Sequence, residues 1–378
     1  MRRLEGHPNF TKWRDPVSGA ESYVLSRRLA PFQQGLYYVR PSLAGDWLWF
    51  SVSFPPSRTK FLAAACLDPE RPEARWFPQA PLGGNPLIAP DGACAFAPIG
   101  NGAYRIDTRG ESRELFHLPE SIVCGRHLFR LVTDLTLSCD GRYFLLDCQI
   151  GNRWLIGLVD RESGETKPLR WFGHSHHHAS FSLHDPELFL VCQGPNLDPL
   201  TGEKNEMDVR LWIMDTRLTR YEPLYGDLWF NHSSMGCHEW WTSQGLVNWC
   251  DYRDGIYEST TAPDRRRSLV WRRPLIHGQC DPTARFYCGD ENCYRWNEAA
   301  PCSVWFFDRK TGCETAIAKN LPQPPFHYSQ WRSYHTDPHP HFSADGEYVI
   351  YGTTVLGNMD VALAPVKGLL EAQGASGT

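Results

Sequence analysis

Tyr334-His335-Thr336-Asp337-Pro338-His339-Pro340-His341-Phe342-Ser343-Ala344-Asp345-Gly346-Glu347-Tyr348-Val349-Ile350-Tyr351 decides how the rest of the chain is read. Three histidines stand in front of an Asp-Gly turn, and the aromatic, β-branched run after it reads as a strand returning from a hairpin. In an extended strand His339 and His341, two residues apart, leave from one face while Phe342 turns to the other. That is how a strand presents two nitrogen ligands to one ion.

Working outward, the same grammar recurs: a short strand, a turn, an aromatic strand, and a third strand ending in a charged turn. The turns fall at Gly45-Asp46, Asp91-Gly92, Asp140-Gly141, Asp185-Pro186, Ser243-Gln244-Gly245, Asp281-Pro282 and Asp345-Gly346. Most intervals are roughly forty to sixty residues, the spacing of four-stranded propeller blades with loop insertions. Third strands read as Arg153 to Asp160, Arg210 to Asp215 and Ser303 to Asp308. The expected fold is therefore all-β, a single seven-bladed β-propeller of four-stranded antiparallel blades over residues 1–378. Residues 1–35, with the turn Asp15-Pro16-Val17-Ser18-Gly19 and the strand Ser22 to Leu25, close the ring against the last blade. Blades fill 36–366. Toward the tail, 367–378, Val366 to Ala372 reads as a last helical turn and Gly374 to Thr378 as frayed, and Gly194 to Met207 reads as a loop within the fourth unit.

Composition supports this reading. The chain has 378 residues, 42% hydrophobic, with 15 Trp, 31 Gly and 29 Pro, which points to many short strands joined by turns. Formal net charge is −5, from 38 basic and 43 acidic residues, so no overall field favours nucleic acid or an anionic membrane. Any anionic ligand must be recognised locally. No apolar run has the length of a membrane span or the form of a signal peptide, which points to the cytoplasm. The 13 cysteines include no CxxC and sit mostly in apolar runs, as buried reduced thiols do.

Superposed on the turns, the units share a register. His178, His238, His277 and His339 stand three residues before an apolar anchor in four consecutive units, where earlier units hold Asn85 and Asp134. The first strand of each blade lines the central channel, so these positions meet in a ring at one end of the axis. His341 adds a further nitrogen. His176 and His177 either touch a ligand there or are solvated loop residues. Trp240, Trp241 and Tyr252 either stack on a ligand or fill the core, and Arg253 has its flanking aspartates as alternative partners.

Several segments carry a family likeness: Asp15-Pro16-Val17-Ser18-Gly19-Ala20-Glu21, His178-x-x-Phe181-Ser182-x-x-Asp185-Pro186-Glu187-Leu188, Arg210-Leu211-Trp212-Ile213-Met214-Asp215, Cys237-His238-Glu239-Trp240-Trp241 and His339-Pro340-His341-Phe342-Ser343-x-Asp345-Gly346. The combination resembles the oligogalacturonate lyases, seven-bladed β-propeller polysaccharide lyases. The resemblance implies a divalent metal, Mn2+, held by His277, His339 and His341, with His238 as catalytic base and Arg210 as its partner. It also implies substrate contacts from His176, His177, His178, Tyr252 and Arg253. The family's metal-binding glutamine is replaced here by Thr336, so the fourth ligand falls to Thr336, Asp337, Gln330, Gln279 or water.

The implied reaction is β-elimination from a 4-linked uronide in an acidic oligosaccharide, most directly oligogalacturonate from pectin. A cation on the carboxylate stabilises the charge that develops as the C5 proton leaves, and a neutral imidazole accepts that proton. Two other readings stay open: a metal-dependent lyase acting on another acidic glycan, and a non-enzymatic propeller that binds glycan or protein. Hydride transfer and serine-nucleophile chemistry lack their Gly-rich turn and Gly-x-Ser-x-Gly elbow.

Overall fold

In the third and seventh units the turn is built by the same atoms. Ser138 Oγ donates to the Asp140 carboxylate at 2.6 Å and accepts the Tyr143 N–H at 2.9 Å. Ser343 Oγ does the same with Asp345 (2.6 Å) and Tyr348 (3.0 Å). Gly141 and Gly346 sit at φ +77° and +72°, a left-handed conformation that costs glycine nothing. Serine, aspartate and glycine thus fold a first strand sharply back onto a second.

Seven such units make the computed structural model, which describes residues 4–194, 196–197, 201–205, 209–224, 238–263, 267–291, 293, 301–323 and 334–376. Each forms one antiparallel sheet; in six of them the strands follow chain order from the axis outward, and in the seventh the two outer strands come from the N-terminus. The innermost strands are short: Phe32–Gly35 with Leu43–Ala44, Leu87–Ile88, Leu128–Arg130 with Thr136–Leu137, His176–Phe181, Glu239–Trp241, Gly278–Cys280 and His341–Phe342. In the fourth blade the insertion carries a small hairpin, Asn196–Leu197 with Lys204–Asn205, between the second and third strands. The fold is the seven-bladed, all-β propeller that the spacing of the turns predicts.

The core is not one mass. Among the described residues the buried apolar side chains fall into seven clusters, one between each pair of neighbouring blades. Large aromatics fill these wedges, as where Trp271 of the fifth blade stacks on Phe307 of the sixth with 5.1 Å between ring centres. This explains the tryptophan count. Where blades approach most closely only glycine serves: a side chain on Gly92 would place its Cβ 1.9 Å from the Ala44 carbonyl oxygen of the preceding blade. All cysteines among the described residues are free.

The ring closes through the N-terminus. Glu21–Leu25 pairs with the last strand, Asp360–Pro365, aligning Tyr23 with Leu363 and Val24 with Ala362, and Phe10–Arg14 adds a fifth strand outside it. Asp15 caps the intervening turn by accepting the Val17 and Ser18 N–H groups, and its other oxygen takes the Lys319 N–H of the sixth blade at 2.8 Å. Two expectations need correction. Phe32–Gly35 belongs to the innermost layer of the first blade, so closure occupies less than residues 1–35. The tail is an 11-residue helix, Val366–Ser376, because Leu369 is buried and ties it to the apolar cluster of the sixth and seventh blades, outweighing Gly368 and Gly374. Among the described residues no helix is long and apolar enough to cross a membrane.

An ion pair with one buried partner fastens the closure: exposed Arg28 lies 2.7 Å from Asp360, whose side chain is fully buried and also accepts from Gln33 at 3.3 Å. Burial pushes the Asp360 carboxyl up even with Arg28 in place. Removing Arg28 would strand that carboxylate. Arg28→Met should therefore cost about 3 kcal/mol in denaturant unfolding, and Arg28→Met with Asp360→Leu should recover much of the loss. A loss under about 0.5 kcal/mol for the single variant would show that the β-ladder alone holds the ring.

Candidate functional site

The register positions do converge. Asn85, Asp134, His238, His277 and His339 each stand one or two residues before an innermost strand, and His178 lies within one. Their neighbours in space come from different blades: the His238 and His277 rings are 4.2 Å apart between centres, and His277 and His339 are 4.3 Å apart. Tyr37, from the first blade, lies at the centre of the group, its ring 4.9 to 6.3 Å from those of His178, His238, His277, His335 and His339. Beside it opens a cavity of about 290 Å³ lined in part by Tyr37, Lys60, Asn85, Thr133, Asp134, His178, His335 and His339. His238 and His277 flank Tyr37 outside this lining.

Four histidines here hold left-handed backbone: His178 (φ +52°), His238 (+77°), His335 (+49°) and His339 (+45°). Such conformations are uncommon for a residue with a side chain and are retained where the surroundings fix them. At His339 the consequence is direct. The chain is not extended there, so His339 and His341 do not share a face, and the innermost strand begins only at His341.

His341 is accordingly not brought to the cluster. Its Nε2 lies 2.6 Å from Ser42 Oγ and its Nδ1 2.9 Å from the His339 carbonyl, and burial lowers its pKa to about 4. The donor set that does converge is His277, His335, Asp337 and His339, whose candidate ligand atoms all lie within 4.8 Å of one another. His335 Nε2 and His339 Nε2 stand 3.2 and 3.9 Å from Asp337 Oδ2. Within this set, His339 Nε2 and both Asp337 oxygens are buried without a hydrogen-bond partner, as is the adjacent Thr336 Oγ1. Buried polar atoms left this way are costly unless something bound there satisfies them, and a nitrogen–carboxylate set of this size suits a divalent cation. Of the other fourth-ligand candidates, Gln279 is committed at both ends, to the Phe342 N–H and the Tyr38 carbonyl. Gln330 lies outside the described residues.

Asp290 orients this set, and the sequence reading missed it. Fully buried on the second strand of the sixth blade, it accepts the His277 N–H at 3.0 Å and the His339 N–H at 3.2 Å, and stands 3.0 Å from His277 Nδ1. With Nδ1 of His277 turned to Asp290, Nε2 is the nitrogen that would meet a cation held by this set. Cys293, beside the same ring, is a neutral thiol, since burial and the Asp290 charge push its pKa well up. His335 was visible as a histidine, but only its left-handed backbone turns it toward Asp337.

The remaining predicted residues divide. His238 Nδ1 donates to the Ile276 carbonyl at 2.7 Å, and Tyr252 Oη lies 3.0 Å from the same atom. Burial above all holds its pKa well down, so the His238 imidazole is neutral. Arg210 immediately precedes the third strand of the fourth blade, and its charge acts on His177, His178 and His238. His177 is half-buried beside His178. His176 does not reach the site: it is buried, stacked on Phe172 at 3.6 Å between centres, with its nitrogens near Tyr221 Oη and the His174 carbonyl. Arg253 is exposed in a turn between the second and third strands of the fifth blade, away from the cavity lining. Trp240 and Trp241 are core residues.

No protein-family profile and no curated protein matches the chain. Among solved structures it is similar to an oligogalacturonate lyase in complex with manganese, with 15% identity, a TM-score of 0.71, and 94% of this chain and 96% of that one covered. It is also similar to an oligogalacturonate lyase from Vibrio parahaemolyticus, with 13% identity, a TM-score of 0.71, and coverage of 95% and 96%. At these identities the likeness shows a shared propeller fold.

Titration calorimetry with Mn2+ checks the donor set. Asp290→Asn should weaken binding by about 10- to 100-fold through loss of ligand orientation, whereas His341→Asn should leave the affinity unchanged. Binding that needs His341 but tolerates Asp337→Asn would refute the assignment.

Proposed function

We propose that this chain is a metal-dependent lyase that cleaves 4-linked uronides, oligogalacturonate first among them, by β-elimination. The observation that carries this reading is the buried, unsatisfied set around Asp337 and His339, with a neutral imidazole at His238 close by. The likeness to two oligogalacturonate lyases in fold supports it.

A divalent cation held by His277, Asp337, His339 and His335 would supply the positive charge that neutralises a uronate carboxylate and makes its C5 proton removable. The Lys60 ammonium on the cavity wall adds a second cationic contact for that carboxylate. His238 Nε2 accepts the C5 proton, since the Ile276 carbonyl fixes the proton of the ring on Nδ1. Tyr37, which lines the cavity, meets the His238 ring edge-on with 6.3 Å between centres. Arg210 steadies the charge that develops on the sugar. Asp337 in the donor set also favours a second substrate range, other acidic glycans of the same linkage chemistry, within the same reaction class.

The test is ultraviolet absorbance of unsaturated uronide formed from saturated trigalacturonate, with products confirmed by mass. Activity should fall to background on chelation, return with Mn2+, and drop at least about 100-fold in His238→Ala. Chelator-insensitive elimination, or full activity in His238→Ala, would contradict the reading.

A further inference from the structure

The cavity has two unlike walls. His335, His339 and Lys60, from the seventh and first blades, form a metal-ligating and cationic side. Across the axis of a seven-membered ring stand the third and fourth blades, which supply Thr133, Asp134 and His178. A 4-linked uronide seated with its carboxylate toward the first wall turns the rest of the sugar toward the second. That second wall contains a carboxylate–imidazole pair, Asp134 and His178, to which no catalytic role has been given.

We propose that His178 is the general acid of the elimination, handing its Nε2 proton to the departing O4 oxygen; this rests on the uronide-lyase reading above. His178 Nδ1 lies 3.1 Å from Asp134 Oδ2, and Asp134 is only 2% exposed. The Arg40 charge faces the same carboxylate. With Nδ1 committed to Asp134, Nε2 is the proton His178 has left to give. The backbone is fixed to match. At φ +52° the His178 N–H reaches Thr133 Oγ1 at 3.4 Å, and the next residue, Ala179, donates to buried Asp147 at 3.2 Å.

The surroundings favour the charged form. Burial alone would lower the pKa of His178, but the hydrogen bond and charge of Asp134, with Glu239 of the fifth blade behind, outweigh it and the opposing Arg210, so it is raised. His177 on the same strand and Tyr37 from the first blade complete its ring of neighbours.

The step balances without a co-reactant. The C5–H bond breaks and its proton goes to His238 Nε2. The electron pair becomes the C4–C5 double bond, the C4–O4 bond breaks, and the leaving oxygen takes the proton from His178 Nε2. An alkoxide is a poor leaving group, so this second transfer carries real rate. Solvent then returns His238 and His178 to their starting states.

The experiment compares two substrates: saturated trigalacturonate, and a galacturonide bearing 4-nitrophenoxide at C4, whose leaving group departs without a proton. His178→Gln should lower kcat on the first by about 100- to 1,000-fold with KM within about threefold, yet lose under about fivefold on the second. Asp134→Asn, which leaves His178 harder to protonate, should move the alkaline limb of the kcat profile to lower pH. Unchanged Mn2+ affinity and circular dichroism would show both variants folded; a variant that fails this check is replaced by His178→Asn. Equal losses on both substrates, or a loss confined to KM, would overturn the acid role and leave His178 as a binding residue. No elimination from either substrate by the unaltered protein would instead overturn the uronide-lyase reading, and the acid role with it.

Discussion

The structure depends on a buried carboxylate that joins two blades. Asp290 takes the backbone N–H of His277 in its own blade and of His339 in the next, while its contact with the His277 ring sets the tautomer. Withdrawing a carboxylate from water costs several kcal/mol, and charge-assisted bonds from several donors offset it only in good geometry. The constraint therefore acts on position: neither blade can shift without leaving that charge uncompensated. The third and fourth blades repeat the device. Asp147, also fully buried on a second strand, accepts the Thr133 N–H of its own blade at 2.6 Å and the Ala179 N–H of the next at 3.2 Å. One aspartate sets the wall of His277 and His339, and the other sets the wall of His178.

This arrangement explains how a ring of weakly specific blades makes a specific site. Turns of Ser-x-Asp-Gly type and aromatic wedges only stack sheets around an axis. The site comes from the short segment before each innermost strand, where backbone held at positive φ turns four imidazoles to useful directions. Such strain of order 1–3 kcal/mol per residue persists where surrounding bonds over-determine it. The bonds from Asp290 and Asp147 supply that determination for His339 and for the strand of His178.

Much of this was legible in the sequence. The Asp-Gly turns and aromatic strands gave the propeller because local turn chemistry and strand alternation are short-range properties. The shared register of His178, His238, His277 and His339 was readable for the same reason, since equivalent blade positions must meet at the axis. The ligand pair His339 and His341 was not, because the expectation assumed an extended strand and one left-handed residue rotates the ring out of alternation. His176 misled similarly: His176, His177 and His178 in succession look like one site, yet His176 turns into the core against Phe172. Asp290 and Asp147 carried no local signal at all. An aspartate within an apolar strand becomes informative only once the donors it meets across a blade boundary are known.

The central claim is that His277, Asp337 and His339, with His335, form one metal site that receives the substrate's carboxylate. Anomalous diffraction at the manganese edge, from crystals of His238→Ala grown with Mn2+ and saturated trigalacturonate, addresses it most directly. The account predicts one strong peak among these four side chains, with a uronate carboxylate oxygen bound to it and Lys60 nearby. A peak centred on His341, or a sugar bound in the cavity with its carboxylate turned toward His178 and away from the metal, would contradict it.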